Sequence, residues 1–117
     1  MERMRKVNAQ IHRLVSEIIA REIELPLDVF VTVTKVETDR DLRNAKILVT
    51  VLPDNRRVST IHQIERCRGL IQKILGSRLQ IKFTPHLHFQ FDESQIKAHH
   101  LYDVIDRLKH KDENEKK

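Results

Sequence analysis

Any chemistry in this chain of 117 residues has to come from seven histidines, one cysteine and a surplus of lysine and arginine. His86 and His88 stand two apart, on one face of any strand that holds them, and His99 and His100 are adjacent. Neither pair has a third or fourth ligand at the spacing a zinc site uses, so no metal site and no cofactor is expected. Cys67 falls on an apolar helical stripe, where cysteine packs as a small hydrophobe. No Ser-His-Asp order, nucleotide-binding glycine loop or paired acid site stands out. The expectation is therefore a non-enzyme with no small-molecule substrate.

The cations carry more information. Net charge is +5, and its distribution is uneven. Residues 53–84 hold seven Lys/Arg against two Asp/Glu, while the segments 1–25, 26–52 and 85–117 nearly cancel. A local excess of this kind is the footprint of a phosphate-binding surface. Arg66, Arg68, Lys73, Arg78 and Lys82 surround or follow Gly69 and form the first candidate patch. Arg3, Arg5 and Lys6 form a second, with a solvated terminus as the plain alternative.

These residues must be positioned by a small set of elements. Val7, Ile11, Leu14, Val15, Ile18, Ile19 and Ile23 repeat near 3.6, which predicts an amphipathic helix over 4–24, stopped by Pro26. The β-branched run 29–37 predicts a strand, the cluster 38–41 a turn, and 44–52 a second strand with Ala45, Ile47, Val49 and Val51 on one face. Two strands this close predict an antiparallel hairpin. A helix capped by Ser59 or Thr60 follows, bends near Arg68-Gly69 and continues to about residue 79. Alternation over 80–91 predicts a third strand, with Ile81, Phe83, Leu87, Phe89 and Phe91 facing the core and Pro85 marking an edge or a bulge. Residues 94–109 predict a last helix. Residues 1–109 are read as one domain and 110–117 as a disordered charged tail. Length allows one self-sufficient core. No run approaches the ~18 apolar residues of a membrane span, and a lone cysteine fits a reducing compartment, so a cytoplasmic protein away from membranes is expected.

The fold class expected is α+β: a single KH-like (type II) domain of order α-β-β-α-kink-α-β with an added C-terminal helix. Val31-Thr32-Val33-Thr34, Val36, Asp41-Leu42 and Ala45 resemble the hairpin of the ribosome-binding factor A family. Thr84-Pro85-His86-Leu87-His88-Phe89, then Asp92-Glu93-Ser94, are similar to its third strand, and Gly69-Leu70-Ile71 through Leu75 and Leu79 to the helix after its kink. The resemblance runs over residues 3–108. It implies a KH-like domain in which a kinked Ala-x-Gly replaces the usual Gly-x-x-Gly loop. It also implies binding to the free, immature small ribosomal subunit and its rRNA, help with late maturation and 5′-end processing, a link to growth in the cold, and no catalysis. Here the kink residues are Cys67, Arg68 and Gly69, with cysteine in place of alanine. Leu25-Pro26-Leu27 stands where the family often has Asp-Pro-Arg.

The RNA-binding residues expected are thus Arg3, Arg5, Lys6, Arg66, Arg68, Gly69, Lys73, Arg78 and Lys82, in a monomer. The two glycines are seven apart, so no single-strand grip of the ordinary KH kind is available. Recognition by shape and backbone of folded rRNA is expected, with Phe83, Phe89 and Phe91 in the core. The alternative is a protein-interaction module that uses an exposed strand edge.

Overall fold

The apolar period of the N-terminal segment is realised as helix α1, Glu2–Glu22, in a computed structural model that describes residues 2–79, 81 and 83–94. The six residues of the apolar stripe within it are buried, and so is Ile23 just past its end. Strands β1 (Phe30–Thr38) and β2 (Asn44–Leu52) pair antiparallel, as the short connection dictates. The turn between them places Leu42 at φ 59°, a left-handed conformation that strains a bulky residue. Its side chain packs against the core, which offsets the strain.

A 3-10 turn, Asp54–Arg56, leads into α2 (Arg57–Arg66). The helix therefore begins two residues before the expected cap, and Thr60 is buried in it. Helix α3 (Arg68–Arg78) and strand β3 (His86–Phe91) complete the order. β3 runs parallel to β2, giving the sheet order β1-β2-β3. The helices lie on one face, α1 against β1 and α3, and α2 against β2 and β3. Between the layers, Val33, Val36, Ala45, Ile47, Val49, Leu87 and Phe89 meet the α1 stripe and Ile64, Ile71 and Leu75. An α-β-β-α-α-β order with one antiparallel and one parallel pairing is the type II KH arrangement.

Two features of the edges matter later. A bulge at Val33–Lys35 interrupts β1. There His12 of α1 bonds through Nε2 to the Val33 carbonyl at 2.7 Å, and the Thr38 hydroxyl donates to Asn8 Oδ1 at 2.7 Å. At the other end, Asp92 leaves β3 and crosses to β1, where its Oδ2 accepts the Thr34 hydroxyl at 2.6 Å.

The third strand is shorter than its alternation predicts. Residues 83–85 are not strand, and Phe83 is 72% exposed and not in the core. Pro85 is the reason: it has no N–H for a ladder, and pairing starts only at His86, whose N–H donates to the Arg43 carbonyl at 2.7 Å. Leu87 and Phe89 do face inward, and Phe91 is half-buried. Lys82, the expected helix over 94–109 and the tail 110–117 lie outside the described residues, save that Ser94 is described.

Candidate nucleic-acid interface

The bend between α2 and α3 falls at Cys67, the first of the three kink residues Cys67, Arg68 and Gly69. Its N–H is shared between the carbonyls of Gln63 (3.2 Å) and Ile64 (3.0 Å), a tightened last turn. Its own carbonyl accepts from Ile71 at 2.9 Å and so begins α3. Cys67 is half-buried and packs against the core, as its place on the apolar stripe predicts.

Gly69 sits in the first turn of α3 with a negative φ, and apart from its chain neighbours and the backbone of its own helix no atom comes within 4 Å of where its Cβ would be. The fold itself thus demands no glycine there. Gly76 is the glycine that meets a neighbour: its Cβ would stand 2.7 Å from the Thr84 hydroxyl oxygen. That contact brings α3 close to the chain leading into β3. Gln72 reinforces it by accepting the Leu87 N–H through Oε1 at 3.3 Å, which satisfies a donor of the edge strand.

These contacts shape a groove of about 620 Å³ between α3 and β3. Arg68, Gly69, Lys73 and Gly76 line its helix side, and Thr84 and His86 its strand side. Glu65 also reaches it and pairs with Arg68 at 3.3 Å, both being partly exposed. An ion pair so open to water contributes little and leaves the guanidinium available to a phosphate. Two cations, an exposed imidazole and a bare stretch of helix backbone can hold a phosphodiester chain.

The expected residues therefore separate. Arg68, Gly69 and Lys73 come together. Arg66 is exposed but does not line the groove. Arg78 lies within 4.0 Å of Glu17 on α1, a partner 61 residues away that charge counting could not find. Arg3, Arg5 and Lys6 are exposed on the first turns of α1, and Arg3 lines a different recess. His86 joins the groove although the charge count did not include it, and its spacing from His88 was the available signal. The two imidazoles stand edge to face with centroids 4.8 Å apart, and His88 Nε2 lies 3.0 Å from Asn44 Oδ1. Among the described residues no three His, Cys, Asp or Glu side chains gather as a metal site. No described helix is long and apolar enough to cross a membrane.

The fold and the groove define a KH-like domain in which a bent pair of helices replaces the Gly-x-x-Gly loop. The family model described as "Ribosome-binding factor A" matches residues 3–105, and the chain belongs to that family. A ribosome-binding factor A from Thioalkalivibrio sulfidiphilus is 36% identical over 120 residues, covering 97% of this chain and 93% of the relative. The crystal structure of ribosome-binding factor A from Thermus thermophilus superposes with a TM-score of 0.68 at 19% identity, over 75% of this chain and 93% of that one. Coordinates of the Thermus thermophilus factor fitted into the cryo-EM map of its 30S complex give 0.60 at 19% identity, over 74% and 91%.

Proposed function

We propose that this protein binds the free, immature small ribosomal subunit and assists late maturation and 5′-end processing of its rRNA, without catalysis. Family membership and the 30S complex formed by the Thermus thermophilus relative support the partner. The observation that carries the RNA contact is Gly69. It needs neither a left-handed φ nor room for a neighbour within its own chain, yet it opens the groove between Arg68 and Lys73. Glycine at such a place lets another backbone approach closely. The groove is open and cationic, suited to the phosphates of folded rRNA.

Acting as a monomer in the cytoplasm, the protein would hold one rRNA conformation and leave once the mature state no longer fits. Its work is then differential affinity for two RNA states, with a linked advantage for growth in the cold. A module that recruits a protein through a strand edge is less well served: β1 is bulged and tied to α1, and Gln72 already occupies a donor of β3.

The test is sedimentation of the protein with ribosomal particles over a range of salt. Association with free small subunits should be lost steeply as salt rises, because each phosphate contact releases counterions. Arg68→Glu and Lys73→Glu should each weaken it at low salt while thermal melting stays unchanged. Absence of the protein from every ribosomal fraction at low salt would sink the proposal.

A further inference from the structure

The chain leaves the sheet at a fixed point. Asp92 follows β3 and is held through both carboxylate oxygens: Oδ2 accepts the Thr34 hydroxyl of β1 at 2.6 Å, and Oδ1 accepts the Ser94 N–H at 3.0 Å. The second bond is a helix N-cap, and Glu93 and Ser94 already have helical geometry. Leu87 and Phe89 point to the helices, so Asp92, of opposite parity, lies on the helix-free side of the sheet. β3 runs in the direction of β2, so the chain beyond Phe91 heads for the end of the sheet where β2 stops at Leu52.

That end carries an apolar cluster. Val33, Val49 and Val51 face the helices, so Phe30 and Leu52, paired across the ladder, face the other way and are 68% and 59% exposed. Asp28 and Arg56 join at 3.3 Å, which brings their near neighbours Leu27 and Val58, both exposed, to the same end. Six large apolar residues are exposed among the described ones, and four of them collect here. Such a cluster marks a surface that something covers.

The geometry of the exit selects the occupant. Leu101, Val104, Ile105 and Leu108 recur at the spacing of one helical face. A helix capped by Asp92 and rising 1.5 Å per residue carries Leu101 about 13 Å onward. From Thr34 to Phe30 along the strand is also about 13 Å, at 3.3 Å per residue. The start of the apolar stripe thus falls level with the exposed ring, and Val104 and Ile105 follow within the next turn.

We propose that residues 95–109 run back along the helix-free face of the sheet as an amphipathic helix and cover Phe30 and Leu52 with Leu101, Val104 and Ile105. The cover leaves Arg68, Gly69 and Lys73 open, since these belong to the helical layer. It is independent of the RNA-binding reading.

The chain has no tryptophan, so Phe30→Trp places a single reporter under the proposed cover in the full-length protein. Its emission should be blue-shifted and resist quenching by acrylamide. Adding Leu101→Asp and Ile105→Asp should shift the emission to the red and raise quenching several-fold, while the cooperative melt of the core persists. As a second reading, Leu52→Cys with Leu101→Cys in a Cys67→Ala background should close an intramolecular disulfide under mild oxidation, and Lys46→Cys with Leu101→Cys should not. Equal exposure of the reporter with and without the two aspartates overturns the proposal. So does a blue shift that vanishes on dilution, which assigns the cover to a second copy of the chain. A blue shift that appears only when small subunits are added assigns it to a ribosomal partner and overturns the proposal as well. The first two results are read on the free protein, so they leave the groove at Gly69 and the proposed function standing.

Discussion

Replacing Gly69 with alanine should move stability and affinity in opposite directions. The residue is helical, its side is open for 4 Å, and φ is not positive. Alanine there removes the entropic cost of glycine, about 0.5–1 kcal/mol near a helix end. For a domain of this size that raises the melting temperature by roughly 2–8 °C. The added methyl projects into the groove beside Arg68 and Lys73. A phosphodiester lying against the helix would have to retreat from it, and forced contacts of that kind cost about 1 kcal/mol or more. Affinity for small subunits should then fall about five-fold or more. Circular dichroism melts and quantitative sedimentation on the same preparations read both quantities. Higher stability with unchanged affinity would refute the claim that a ligand backbone passes Gly69. Lower stability would refute the geometry of the bend itself.

Gly76→Ala should behave differently, because its Cβ would stand 2.7 Å from the Thr84 hydroxyl. The melting temperature should fall short of that of Gly69→Ala, and adding Thr84→Ala should recover the difference. Ile71→Ala, at a fully buried site facing α1 and the sheet, should cost about 2–5 kcal/mol in urea unfolding. Asp92 gives a pH signature. The Ser94 hydroxyl first, then that of Thr34, hold its carboxyl below the usual carboxylate range. A lowered folded-state value means the contribution is complete above the unfolded value of about 4 and is lost as pH falls through the folded one. Wild type and Asp92→Asn should therefore differ in melting temperature at neutral pH and converge in acid.

The helical stripe of α1, the hairpin and the inward row Ala45, Ile47, Val49 and Val51 were legible because one side of each element is buried and period alone assigns it. The groove was legible only in part. Charge counting found Arg68 and Lys73, yet it could not separate them from Arg78, whose partner Glu17 lies on a helix distant in sequence but packed alongside. Alternation also misplaced Phe83. A period of two is maintained only while a ladder holds the chain, and Pro85 delays that ladder to His86. Nor could sequence tell the two glycines apart: Gly69 faces open space, while Gly76 faces Thr84, and that distinction exists only in three dimensions.

The bulge in β1 has a consequence for how this protein survives at high concentration. Val31-Thr32-Val33-Thr34 is a segment of high strand propensity at the margin of its sheet, the kind that recruits identical neighbours into aggregates. Crowding the ladder with an extra residue at Val33–Lys35, and binding the freed carbonyl to His12, breaks the regular row of donors and acceptors such a neighbour would need. Substituting His12 with alanine should then show itself less in the folded protein's affinity for RNA than in its solubility on prolonged storage or during refolding, where light scattering would register the recruited strands.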